Sequence, residues 1–516
     1  MKMRHRSNRV GCRLALSLVL IGALSLFVVG NGPSSSQAVA QSNDGVPVSE
    51  ATERCLSCHR TATPGIVGDW RSSRHAHRTP AQAAQVEARA RRMSTPLVEI
   101  PSEQRRVAVG CYECHGQRTE QHADAFEHNG YRINVVVSPD DCAACHRVER
   151  QQYAGTKKAH AYGILKDNPV YNQLMETTTR TVTIEDGELV PGPSSDSTQH
   201  ETCLGCHGTD VQVQGMKTVS SPFGPQQVPD LTGWPNQGVG RLNPDGSRGS
   251  CAACHPRHGF SIQVARKPYN CAQCHLDPDV PAWNVYKESK HGNIALSAGE
   301  DYNWTAVPWT VGEDVNAPTC ATCHNSQLVS PRGSPIAERT HDFGARLWTR
   351  IFGLIYTHPQ PKSGKTFEIR NADGLPLPTT FTGEEASDFL ISPEEQAARK
   401  DVMAGVCRSC HSADWVEKHF AKLARTLAET DQMTLAATQL LLEAWESGMA
   451  DGLPQGANPF DEGIEHLWIK QWLFYGNSIR YASAMSGAPD YATFKNGWWD
   501  LNTNLQKMRE WIELRR

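Results

Sequence analysis

Aromatic residues make up only 7% of this 516-residue chain, and hydrophobic residues 39%. That is thin for a chain long enough to hold more than one domain. Either much of it is disordered, or something other than side chains fills the core. There is no basic excess either. Lys and Arg number 51 against 55 Asp and Glu, which argues against a nucleic-acid partner. Beyond the first 40 residues no run is apolar enough to span a bilayer. Between His207 and His255 there is no histidine at all.

The N-terminus is unlike the rest. Lys2, Arg4, Arg6, Arg9 and Arg13 precede an apolar run from Leu14 to Val29, and Ala38-Val39-Ala40 offers a small-x-small cleavage site. That is the pattern of a secretory signal peptide over residues 1–40. The alternative, an uncleaved anchor, has a run of about 16 residues, which is short for a span. Cleavage after Ala40 leaves an exported, soluble chain in the periplasm or an equivalent compartment. Five basic residues go with the signal, so the mature chain carries 46 basic and 55 acidic residues, a charge of about −9.

What the chain has in quantity is cysteine. Of 17, Cys12 lies in the leader and the other 16 form eight copies of one unit. These are Cys55-Leu-Ser-Cys58-His59, Cys111-Tyr-Glu-Cys114-His115, Cys142-Ala-Ala-Cys145-His146, Cys203-Leu-Gly-Cys206-His207, Cys251-Ala-Ala-Cys254-His255, Cys271-Ala-Gln-Cys274-His275, Cys320-Ala-Thr-Cys323-His324 and Cys407-Arg-Ser-Cys410-His411. C-x-x-C-H is the attachment site of c-type haem: two thiols bond the vinyl groups and the histidine ligates the iron. Zinc knuckles use paired C-x-x-C but need no histidine after every second cysteine. Disulfides suit an exported chain but do not require one repeated spacing. The reading is eight covalently attached haem c groups. They also explain the thin core, since porphyrins supply apolar surface. Their propionates should draw on the arginines.

The expected fold is mainly α with much irregular structure. Residues 41–390 read as a multihaem core holding haems 1–7, and residues 391–516 as a C-terminal helical domain carrying haem 8. Residues 360–390 read as a surface connection with a hairpin at Asn371-Ala-Asp-Gly374. Ser392-Pro393-Glu394-Glu395 is a helix start. Val416, Phe420, Leu423, Leu427, Leu435, Leu441 and Trp445 recur at helical spacing, and 462–485 and 498–514 look like further helices. Such a tail either joins subunits or closes on itself as a bundle.

Twelve histidines lie outside both motifs and leader: His75, His77, His122, His128, His160, His200, His258, His291, His341, His358, His419 and His466. An electron-transfer haem takes a second axial ligand, most often histidine. The candidates singled out are His75, His122, His160, His200, His258, His291 and His341, with surface histidine as the alternative for each. His258 follows His255 so closely that it should serve a neighbouring haem. A haem that performs chemistry must leave one iron position free. The histidine-free segment 208–250 could supply such a pocket at His207.

With Thr63-Pro-Gly-Ile-Val67 after the first motif, Asn243-Pro-Asp-Gly-Ser247 before the fifth and Cys254-His-Pro-Arg-His258 at it, the eight units resemble the octahaem hydroxylamine oxidoreductase family over almost the whole mature chain. The resemblance implies seven bis-histidine relay haems and a five-coordinate catalytic fourth haem, here at His207. It also implies trimers formed through the C-terminal helices. In oxidising members a neighbouring subunit's tyrosine is bonded to the catalytic haem, and an aspartate and a histidine stand over its iron.

This sequence departs from that pattern. Asp230 can be the acid, but Gln237 occupies the place expected for the histidine. In the tail stretch Pro489–Gly497, Phe494 aligns with the cross-linking tyrosine, with Tyr491 three residues away. Lack of the bond resembles the reductive branch, which takes nitrite, hydroxylamine or nitric oxide toward more reduced nitrogen. The site expected is therefore His207 with Asp230 and Gln237. It would act on a small inorganic nitrogen compound, with electrons from a small cytochrome or a quinone-linked membrane cytochrome. The alternatives are hydroxylamine or hydrazine oxidation, with Tyr491 as the cross-link, and a non-catalytic conduit with all haems six-coordinate.

Overall fold

Short helical turns dominate the first three-quarters of the chain because C-x-x-C-H needs only one turn to bring its three donors to one side. In this computed structural model, which describes residues 45–516, Cys111–His115, Cys203–His207 and Cys320–His324 are five-residue helices. The fifth motif begins on a 3₁₀ turn, Cys251–Ala253. The first motif rides on a longer helix, Glu50–Ala62, whose start is capped by Ser49 Oγ accepting from Thr52 N at 3.2 Å. Strands are few and short. Two hairpins stand out, Val182–Glu185 with Glu188–Pro191 and Gln212–Val219 with Gln226–Thr232. The first turns at Asp186 and Gly187, both at positive φ (51° and 88°), as a two-residue hairpin turn demands. The architecture is thus helical with much irregular chain.

From Pro393 on, the helices lengthen. Pro393–Arg408 starts at Ser392, whose Oγ accepts from Glu395 N at 3.3 Å, and it carries the first cysteine of the eighth motif. Ala413–Glu446 follows at 34 residues and buries Val416, Phe420, Leu423, Leu427, Leu441 and Trp445. Thr430, Thr434 and Thr438 form a buried stripe on the same helix, each hydroxyl donating to the carbonyl four residues back at 2.9–3.0 Å. Thr438 Oγ1 also accepts from Trp468 Nε1 at 2.9 Å. Gly463–Ile469, Asn477–Ala484 and Trp498–Glu513 complete the tail, the first two joined by a π-helical stretch, Lys470–Gly476. Among the described residues no helix is long and apolar enough to cross a membrane. The signal-peptide reading of residues 1–40 lies outside the described residues.

The segment 360–390 is not a surface connection. Leu377 is fully buried, Phe381 is 6% exposed, and both join Trp445, Trp468, Ile464 and Met508 in one hydrophobic core with Leu354 and Ile355. Its Pro- and Thr-rich composition reads as loop, but its few apolar residues anchor it. The turn at Asn371 forms, with Asn371 Oδ1 accepting from Asp373 N and Leu375 N, yet no strands flank it. The core of the C-terminal helices is therefore shared across residue 390, and the described residues cluster as one unit.

Candidate functional site

A continuous cavity of about 2080 Å³ runs through this unit, about twice the upper end for an ordinary small-molecule pocket. Fifteen of the sixteen motif cysteines and seven of the eight motif histidines line it. The exceptions are Cys203 and His207, both of the fourth motif.

Five motif histidines face a second histidine across this space. Ring centres are 6.3 Å apart for His59–His128 and His146–His75, 6.4 Å for His115–His258, 6.5 Å for His255–His341 and 6.0 Å for His411–His291. Two imidazoles sharing one metal through bonds of about 2 Å put their ring centres about 6 Å apart. Hydrogen bonds on the far nitrogen fix the tautomer that leaves Nε2 free. His115 Nδ1 donates to the Asn134 carbonyl at 2.8 Å and His59 Nδ1 donates to Thr63 Oγ1 at 2.9 Å. Burial favours the neutral form of the buried rings among them, the form a ligand needs. It pushes His255 down to about 3, and His75, His258 and His341 to about 4. Paired thiols beside a neutral imidazole, opposite a second imidazole, fit covalently held haem.

Three motif histidines, His207, His275 and His324, have no histidine ring at that distance among the described residues. His207 is further set apart by its surroundings. Its Nδ1 donates to the Ala161 carbonyl at 3.1 Å, and burial holds its pKa below the ordinary value. The segment after it does not fold over its free face. Residues 212–232 leave as the second hairpin, and residues 236–241 return to pack against the motif's own backbone. Val239 N donates to Cys206 O at 3.0 Å, Gly240 N to His207 O at 3.1 Å and Asn236 Nδ2 to Leu204 O at 3.1 Å. The approach is so close that a Cβ on Gly208, at φ 99°, would lie 2.3 Å from Arg241 N.

Asp230 is accordingly not at the motif: it sits on the exposed hairpin, paired with Lys217 at 2.8 Å. Gln237 is exposed and lines the cavity beside Trp234, whose ring lies under the guanidiniums of Arg241 and Arg257 at 5.0 and 4.7 Å. The acid that does neighbour the fourth motif is Asp279. Its carboxyl feels His207 and Asp277, and crowding by surrounding protein pushes it above the usual carboxylate range. Its side chain is nevertheless open to solvent on one side. Tyr481, held protonated by burial, lies within electrostatic reach of Asp279 and Arg350. Neither is distinguished in the sequence, because each comes from far along the chain.

His75, His258, His291 and His341 stand opposite motif histidines, and so does His128, which nothing in the sequence set apart. His122 does not. Its side chain is fully buried, with Nδ1 3.1 Å from Asp124 and Nε2 3.2 Å from Asp141, and Arg118 joins through Asp245. Both nitrogens are thereby taken by carboxylates. His160 puts Nε2 on the Ala154 carbonyl at 3.0 Å, and His200, half-buried on the short helix Asp196–Glu201, faces no motif ring. His275 meets an amine instead, with Lys158 Nζ 3.4 Å from its Nε2. The sequence gives no sign of that pairing, since a lysine is ordinarily a surface residue.

The motifs touch one another through their thiols. Cys55 and Cys111, Cys142 and Cys251, Cys271 and Cys320, and Cys206 and Cys274 each lie within hydrogen-bonding reach. Cys114 also feels Cys145, Cys254 feels Cys271, and Cys323 feels Cys407 and Cys410. The neighbours run first, second, third, fifth, sixth, seventh, eighth. The fourth joins only at the sixth, as a side branch. In the tail, Tyr491 is 5% exposed under Val285 and Ala482 and bonds Asn284, whereas Phe494 is 63% exposed.

Two family profiles match the chain: "Seven times multi-haem cytochrome CxxCH" over residues 245–328 and "Cytochrome c554 and c-prime" over residues 141–227. The solved structure of a protein described as a hypothetical multiheme protein is 45% identical, with TM-score 0.85, covering 90% of this chain and 96% of that one. A "Kuenenia stuttgartiensis reducing HAO-like protein complex" shares the fold, with TM-score 0.59 and 17% identity over 90% of this chain and 86% of that one. A Kuenenia stuttgartiensis protein described as a "Probable nitrite reductase-hydroxylamine oxidoreductase fusion protein" is 26% identical over 281 residues, or 53% of this chain. Those residues are 25% of the relative's length, so the chain spans about a quarter of it. With thiol pairs, imidazole pairs and these likenesses together, the chain belongs to the multihaem c-type cytochromes.

Proposed function

We propose that the chain is an octahaem oxidoreductase that reduces nitrite or hydroxylamine, with nitric oxide a further substrate of the same kind, at the haem of the fourth motif. The observation that carries this is the placement of His207, the one motif histidine that does not line the shared cavity; like His275 and His324 it has no imidazole opposite among the described residues, but His275 meets Lys158. The side-branch position of the fourth motif supports it, since a reaction centre belongs at the end of a relay rather than within it. The haems supply electron storage, which a six-electron reduction of nitrite to ammonia needs. Cys203, Cys206 and His207 hold the fourth group. Asp279, the acid that neighbours the fourth motif, replaces Asp230 as the proton relay. Tyr491, packed within its own subunit, and Phe494, which has no hydroxyl, favour the reductive direction. Export after cleavage at Ala40, assembly into trimers through the tail helices and electron supply by a small or quinone-linked cytochrome complete the reading.

The test is one purification. Mass spectrometry should give eight haems and scattering a trimer. One haem in eight should bind carbon monoxide or nitrite, with no red-shifted band and no covalent trimer on a denaturing gel. A covalent trimer with that band would overturn the reductive reading in favour of hydroxylamine or hydrazine oxidation. Absence of any ligand binding would leave a conduit.

A second reading rests on the 3.4 Å separation of Lys158 and His275. On that reading Cys271, Cys274 and His275 would hold the reactive group, with Lys158 beside it as the residue that controls access, and the group would supply the electrons there. Carbon monoxide binding unchanged in Lys158→Ala favours the fourth motif, and a second haem becoming reactive favours the sixth.

A further inference from the structure

Five arginines are nearly or fully buried: Arg241, Arg266, Arg346, Arg350 and Arg480. Four have their guanidiniums satisfied by the chain. Arg346 donates to four carbonyls, Arg266 to those of Trp304 and Ala306, and Arg241 to Asn243 Oδ1 and the Asn236 carbonyl. Arg480 bonds Asp431 at 2.5 Å and Thr430 at 2.9 Å. Arg350 is the exception. It is 8% exposed; among the described residues its Nε has no partner and it makes no ion pair, and its guanidinium lies over the Phe352 ring at 5.2 Å.

More positive charge converges on it. Arg350 is paired across a two-residue strand ladder with His358, which is 2% exposed; His358 Nδ1 donates to the Pro359 carbonyl and its Nε2 has no partner. Lys157 lies within electrostatic reach of Arg350 and of Arg399, and among the described residues its Nζ reaches only the neutral Gln360 Oε1. The nearby carboxylates are engaged elsewhere: Asp431 binds Arg480 and Thr357, and Asp342 accepts from Gly344 N at 2.8 Å. Arg350, Lys157 and Gln360 all line the haem cavity. A buried guanidinium without a counter-charge is costly. Its planar fork matches a carboxylate or another oxyanion.

We propose that Arg350 and Lys157 form a buried oxyanion site in the cavity wall, beside Tyr481. The same chemistry can come from a haem propionate or from a small diffusible anion of the nitrite type. The propionate source is independent of the direction of the nitrogen chemistry, whereas the nitrite KM readout of the diffusible-anion source rests on the reductive reading.

Crystals of the holoprotein, untreated and soaked in sodium bromide, separate the sources. A propionate oxygen within hydrogen-bond distance of Arg350 identifies the resident group, and anomalous bromide density there identifies an exchangeable anion. In the first case Arg350→Gln should lower the midpoint potential of one haem, leaving the rest unmoved, and Arg350→Lys should restore it. In the second it should raise the nitrite KM about tenfold at unchanged kcat. Lys157→Gln gives a parallel, milder effect should Arg350→Gln not fold. The proposal is overturned if the holoprotein shows neither carboxylate nor bromide at Arg350. It is equally overturned if either variant, at full haem content, leaves both the potentials and the nitrite KM unchanged.

Discussion

At the scale of single residues, His122 carries a sharp expectation. Burial works against its charge, but hydrogen bonds to Asp124 and Asp141 overcome that and raise its pKa from 6.5 to about 9. A group raised on folding stabilises fully below its unfolded pKa and ceases to do so as pH climbs through its folded one. The melting temperature should therefore fall between about pH 6.5 and 9, and His122→Asn should flatten that slope in thermal melts of the holoprotein. Gly208→Ala puts a side chain at φ 99° against Arg241 N. It should cost about 1–3 kcal/mol and lower haem occupancy of the fourth motif, read by mass spectrometry. The sixteen thiols and eight adjacent histidines are legible in the sequence because each donor set is local. Their partners are not. His128 and Lys158 arrive from distant segments, and His122 resembles a ligand until Asp124, Asp141 and Asp245 are brought around it.

Elements tell a similar story. Helices from Pro393 onward announce themselves by a capping serine and a 3.6-residue apolar period, and the structure follows. Ser392→Ala should cost about 1 kcal/mol, seen in chemical denaturation. Residues 360–390 have no period to read, and their packing depends on isolated anchors. Leu377→Ala should cost about 2–5 kcal/mol, far more than a surface loop position would, and the same denaturation measurement decides between the two. The hairpin after the fourth motif was equally hidden. Its register carries Asp230 outward to Lys217, which is why proximity in sequence to His207 misleads there.

Across the whole molecule the cavity, not the side-chain core, sets the design. Seven motif histidines look into one space of about 2080 Å³, so the walls depend on what fills it. Chain produced without haem attachment should lack the cooperative melt of the holoprotein and be cut by protease along residues 45–390. A protease-resistant apoprotein would contradict this. The thiol contacts between motifs carry a different consequence, for assembly. Cys55 with Cys111, Cys142 with Cys251, Cys271 with Cys320 and Cys206 with Cys274 are neighbours, and paired thiols in oxidising surroundings become disulfides. With export as proposed, the contacts that bring neighbouring motifs together are therefore traps for the nascent chain. Covalent attachment has to reach each cysteine before its counterpart in another motif does.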